Sequence, residues 1–131
     1  MTKIERHEKN ERLSLIVVHN GTIHLSGLTD DDRQADTAGQ TRQILKKADA
    51  LLGRVGSNRS QLLFAQIWLK DAGDFDAMNK AWVDWLDGAE PPARASVGAS
   101  FALPDIRVEI QFTAASRQGR SSVKSGISSA F

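Results

Sequence analysis

Two residues in the C-terminal third hold the most chemistry. Arg94 follows Pro91, Pro92 and Ala93. The prolines fix the backbone leading into it, so the guanidinium starts from a defined place. An arginine fork matches a carboxylate or a phosphate bidentately. Ser96, two residues on, shares the same strand face. Glu109 sits in mid-strand between Val108 and Ile110. A terminal hairpin turning between Phe101 and Ala102 would set Arg94 opposite Glu109, on the face away from the helices. On residue types alone this is a cross-strand ion pair, which contributes little when exposed.

The other reactive side chains form no such constellation. His7 lies in a charged segment, His19 flanks a turn, and His24 falls on the following strand. Their spacing is not that of a metal pair, and each reads as structural or solvated. Asp30, Asp31 and Asp32 form a loop run without the glycine and further ligands of an EF-hand. No GxGxxG, P-loop or GxSxG motif occurs. Trp68, Trp82 and Trp85 have strand and helix spacing, which points to packing rather than base stacking. No metal and no cofactor is expected.

The elements that must position Arg94 and Glu109 follow from periodicity. LSLIVVHNGTIHLSG holds Asn20-Gly21 between two β-rich runs, a hairpin signal that pairs His19 with Thr22 and Val17 with His24. Ala38, Thr41, Ile44, Leu45, Ala48, Leu51 and Leu52 recur at helical spacing, predicting a helix over 37–52. Asp36 or Thr37 caps its start, and Gly53 or Gly56 ends it. QLLFAQIWLK reads as a central strand buried on both faces. Asp74 opens a second helix with Phe75, Met78, Trp82, Trp85 and Leu86 on one stripe, stopped by Gly88 and Pro91-Pro92. Strands follow at 94–99 and 106–112. In the latter, Ile106, Val108, Ile110 and Phe112 face one way and Arg107, Glu109 and Gln111 the other. The order is β-hairpin, α, β, α, β, β, an α+β mixed sheet with two helices packed on one face. The opposite face needs a cover, and Leu63, Ala65, Ile67 and Leu69 are expected to present it.

Composition sets the class. A chain of 131 residues suits one domain. Its hydrophobic fraction of 40% and charged fraction of 25% are those of a globular protein. With no cysteine, disulfides, thiolate metal sites and a cysteine nucleophile are excluded. No run approaches the ~20 apolar residues of a membrane span, and the polar N-terminus carries no signal-peptide pattern. The expectation is a cytoplasmic protein without membrane contact. The net charge is +1. Arg117, Arg120 and Lys124 fall in a stretch without acids, so the body before them is slightly acidic and ill-suited to nucleic acid. Residues 1–115 read as the single domain, and 116–131 as a Ser/Gly-rich basic tail, a flexible extension.

PPARASVGASFALPDIRVEIQFTA resembles the C-terminal signature of the RidA/YjgF family of enamine/imine deaminases, with Pro92-Ala93-Arg94, Leu103-Pro104 and Val108-Glu109-Ile110 as its marks. HNGTIHLSGLT resembles that family's first hairpin, and LLFAQIWLKDAGDFDAMNKAWVDWL its central strand and asparagine-bearing helix. The resemblance covers roughly residues 12–115. It implies the chorismate-mutase-like fold and a homotrimer with clefts between subunits. It also implies hydrolysis of 2-imino acids, formed from 2-aminoacrylate-type enamines, to 2-keto acids and ammonia. By that resemblance Arg94 clamps the substrate carboxylate and Glu109 activates the attacking water. Gly27 and Leu28 line the cleft, and Asn79 is the helix asparagine. Two positions depart: Ser96 stands where the family often has cysteine, and Leu13 where it has tyrosine. The alternatives are a non-catalytic trimer that binds small carboxylates such as keto acids, and an endoribonuclease. Against the last stand the near-neutral charge and the lack of a histidine pair.

Overall fold

The structure, a computed structural model, describes residues 3–116. Strands β1 (Glu5–Lys9), β2 (Ser14–His19) and β3 (Thr22–Leu25) lead to helix α1 (Thr37–Arg54). Strand β4 (Leu62–Leu69), helix α2 (Phe75–Leu86) and strands β5 (Ala93–Gly98) and β6 (Val108–Ala115) complete the chain. The six strands form one sheet in the order β1-β2-β3-β6-β4-β5. Only β4 and β5 run parallel. A parallel pair needs a long crossover, and α2 supplies it.

The local signals act as their chemistry requires. Asn20 and Gly21 take positive φ angles of 53° and 77°, closing the β2–β3 hairpin in the register His19–Thr22 and Val17–His24. Asp36 caps α1 by accepting a hydrogen bond from the Gly39 amide at 2.8 Å. The helix runs two residues beyond the expected Leu52. Asp87, with φ of 47°, ends α2 just before Gly88. Trp82 stacks on Phe112 at 6.0 Å, and Trp85 tilts against both rings. The tryptophans of α2 thus bind helix to sheet. Arg59 clamps the two helices together through Asp49 at 2.7 Å and the face of Trp85.

The structure departs from the sequence reading in three places. Strand β1 was not anticipated, because ERHEK has no apolar alternation; it joins the sheet edge by backbone pairing with β2. Glu8 also ties it to the end of α1 through Arg54 at 2.6 Å. The terminal hairpin does not form: β4 lies between β5 and β6 and pairs with both. The face requiring cover is the other one. A bulge between Leu62 and Phe64 resets the alternation, so Ala65, Ile67 and Leu69 lie beneath the helices with Phe112, Ile110 and Val108. Phe64 and Trp68 point to the open face, where Phe64 is exposed, so β4 is buried on one side only. The aspartate run is a loop, as expected, and packs on α1. Lys47 reaches the Thr29 carbonyl at 2.6 Å and Asp31 at 2.9 Å, drawing the loop onto α1 and burying Asp30. The tail expected over 116–131 lies outside the described residues except for Ser116. That residue is buried, and its amide donates to the Gly21 carbonyl at 2.8 Å.

One buried side chain sets the start of β6. Gln40 of α1 is inaccessible to solvent. Its amide nitrogen donates to the Ala35 and Asp105 carbonyls, and its oxygen accepts from the Arg107 amide at 2.8 Å. The Arg107 guanidinium then binds Thr37 at 2.9 Å and Asp74 at 2.8 Å, joining both helices to the strand that carries Glu109. Gln40→Leu keeps the volume and strands three backbone groups. It should lower the stability measured by urea unfolding by about 3 kcal/mol; a change below about 0.5 kcal/mol would show that the bonds are not needed.

Candidate active site

The site residues fall into two groups on opposite faces of the sheet. The first group gathers at the β5 edge. Arg94 lies level with Ala65 and Ser96 with Ile67, both beneath the helices, so the two side chains belong to the helix-bearing face. The Arg94 guanidinium sits 5.4 Å from the centre of the Trp82 ring and 5.9 Å from that of Phe75. Asn79, half-buried, lies between those rings in sequence, four residues after Phe75 and three before Trp82, on the same face of α2. Among the described residues the Arg94 side chain makes no hydrogen bond or ion pair. Burial without an anion pulls its pKa below the usual arginine range. The Ser96 hydroxyl oxygen is buried and has no hydrogen-bond partner among the described residues.

The second group lies on the open face. Glu109 pairs with Trp68 across the β4–β6 ladder and shares its side. The carboxylate rests against Gly27, and a Cβ there would fall 2.1 Å from the Glu109 Oε2. The carboxylate occupies the place of a side chain here, so any larger residue would have to displace it. Leu28 is clipped to the same strand: its amide donates to the Ile110 carbonyl at 2.8 Å and its carbonyl accepts from the Ile110 amide at 3.1 Å. Among the described residues the Glu109 side chain makes no hydrogen bond or ion pair. Burial pushes its pKa above the usual carboxylate value. Leu13 is 43% exposed, in a turn held by Asn10, whose side-chain oxygen accepts from the Leu13 amide at 3.0 Å. It stands two residues before Leu15, whose carbonyl accepts from the Ser26 amide beside Gly27.

Arg94 and Glu109 therefore do not meet in one chain, contrary to the cross-strand pair read from the sequence. They are offset by two strands and three residues, a Cα separation of roughly 14 Å from ideal strand spacings. What sequence reasoning missed is the aromatic platform. Phe75 and Trp82 were read as part of a core stripe, yet both also support the guanidinium, an arrangement that favours a cation. The signal available was the Phe75, Asn79, Trp82 spacing, which puts a polar amide between two rings. Among the described residues no group of three or more histidine, aspartate or glutamate side chains is arranged to hold a metal ion. No described helix is long and apolar enough to cross a membrane.

Comparison with known proteins agrees with this architecture. The protein-family model described as Endoribonuclease L-PSP matches residues 4–116. The RutC family protein YoaB of Escherichia coli K12 is 40% identical over 112 residues, 86% of this chain and 97% of that protein. A protein named 3-aminoacrylate deaminase RutC, from Acinetobacter baylyi, is 30% identical over 95 residues, covering 72% of this chain and 75% of its own. A crystal structure of a YjgF-family protein from Neisseria meningitidis matches with a TM-score of 0.84 at 38% identity, over 88% of this chain and 96% of that one. Agreement in sequence and in three dimensions over nearly the whole described domain makes this chain a member of the RidA/YjgF family.

Proposed function

We propose that this protein hydrolyses reactive 2-imino acids to 2-keto acids and ammonia, as a homotrimer whose site is completed between subunits. One observation carries the reading: a half-buried cation and a half-buried anion, neither side chain with a hydrogen-bond or ion-pair partner among the described residues, lie on opposite faces of the sheet. Partly buried charges are retained where something pairs with them. A small substrate with a carboxylate at one end and an electrophilic imine carbon beside it fits between them. The relative named 3-aminoacrylate deaminase, whose name describes loss of ammonia from a small unsaturated carboxylate, supports a related deamination.

In this mechanism the Arg94 fork of one subunit holds the substrate carboxylate and fixes the imine plane. Glu109 of the neighbour takes a proton from water as the water oxygen bonds to the imine carbon, giving a carbinolamine. The protonated Glu109 returns that proton to the nitrogen. Glu109 then relays the hydroxyl proton to the nitrogen, so the C–N bond breaks, ammonia departs with the bonding pair, and the carbonyl forms. One water is consumed, and no oxidant or reductant is needed. The raised pKa of Glu109 suits a group that must both accept and return a proton.

Imines made in situ by an amino-acid oxidase, with ammonia release as the readout, test this directly. Wild type should accelerate hydrolysis, and Arg94→Ala and Glu109→Gln should each lower kcat/KM by about 10²-fold or more. Equal acceleration by all three proteins would remove the mechanism. Keto-acid binding through Arg94 without any acceleration would favour the carboxylate binder. The pH profile carries a sign. The base acts ionised, and burial favours its neutral form, so the acid limb of kcat/KM should lie above the ordinary carboxylate pKa. An acid limb at or below that value would assign the base elsewhere.

A further inference from the structure

A cavity of about 310 Å³ opens beside the Arg94 platform, lined by Leu69, Ala72, Phe75, Ser96, Val97 and Gly98. Phe75 is common to both: one ring lies under the guanidinium and also walls the cavity. Along β5 the lining residues Ser96, Val97 and Gly98 begin two residues after Arg94, so the strand leads from the carboxylate clamp into this space. No lining residue carries a charge, and the one side-chain polar atom in the wall is the buried, unpartnered Ser96 hydroxyl.

We infer that this cavity is the side-chain subsite of the enzyme and selects 2-imino acids with bulky, uncharged side chains of the branched aliphatic kind. The inference rests on the proposed use of Arg94 as the carboxylate clamp. With the carboxylate on the fork, the α-carbon is one bond away and the side chain leaves over the Phe75 ring into the cavity. A methyl group leaves most of the space unfilled. An isobutyl group fills more of it and removes apolar surface from water. A carboxylate side chain would lose its hydration against Leu69, Phe75 and Val97, with one hydroxyl in return. Ser96 leaves room for one hydrogen bond, so a neutral polar atom in the side chain is accommodated.

Two cavity residues can be enlarged without touching Arg94 or Glu109. Ala72 is exposed, in the turn before α2. A Cβ at Gly98 would meet nothing nearer than the Leu69 carbonyl at 3.9 Å. The test is calorimetric binding of 4-methyl-2-oxopentanoate, pyruvate and 2-oxoglutarate to the whole protein, run beside the ammonia assay on the corresponding imines. Wild type should bind 4-methyl-2-oxopentanoate about 10-fold or more tighter than the other two. Ala72→Phe and Gly98→Leu should each erase most of that advantage while leaving pyruvate affinity within about 2-fold. Equal affinities in wild type, an advantage surviving in both folded variants, or no binding of any of the three would overturn the subsite. Preferential binding without turnover would overturn the deaminase reading and leave the subsite standing. Turnover without side-chain preference would do the reverse.

Discussion

A guanidinium and a carboxylate, each half-buried and each without a counter-charge among the described residues, face away from one another because β4 runs between their strands. The arrangement follows from backbone pairing. Strand β5 adds parallel to β4 and β6 adds antiparallel on the other side, so residues close in sequence end two strands apart. The bulge between Leu62 and Phe64 then turns the even positions of β4 to the open face, and Glu109 follows Trp68 there, while Arg94 follows Ala65 beneath the helices. Burial presses both groups toward their neutral forms. A bound anion would relieve the first and a transferable proton the second.

The rest of the fold holds these two groups still. Glu109 is fixed from below by the Gln40–Arg107 bonds that start β6, and from the side by the Leu28–Ile110 clip. Gly27 leaves the volume in which its carboxylate lies. Arg94 is held by two rings rather than by acids, so its hydrogen-bonding capacity stays available. Trp82 serves two purposes, stacking on Phe112 in the core and supporting the guanidinium at the edge. Packing and function are thus joined through single residues of α2.

The sequence was legible where a signal is local. Asn20-Gly21, the Asp36 cap, the α1 stripe and the alternation of 106–112 each depend on neighbours a few residues away, and the structure bears them out. It was illegible where pairing is long-range. Nothing in ERHEK announces a strand, since its side chains are mostly exposed and its pairing uses only backbone groups. Nothing in the order β5, β6 shows that β4 intervenes, and adjacency in sequence usually means adjacency in space. That inversion carried the false Arg94–Glu109 ion pair, and the bulge between Leu62 and Phe64 carried the misplaced open face. The family resemblance named Arg94 and Glu109 without saying that one chain separates them. Phe75 shows the same limit: helical periodicity identified its stripe and could not reveal the guanidinium resting on it.

The central claim is that a working site needs two copies of the chain, one for Arg94 and one for Glu109. Subunit mixing tests it most directly. Arg94→Ala and Glu109→Gln proteins, each inactive alone, would be dissociated, mixed in equal amounts and reassembled, with exchange verified by native mass spectrometry. If each site draws one residue from each of two neighbours, random reassembly leaves about a quarter of the sites intact, and imine hydrolysis should return to about that fraction of wild type. Verified exchange with no recovered activity would mean that one chain must supply both residues, and would contradict the account.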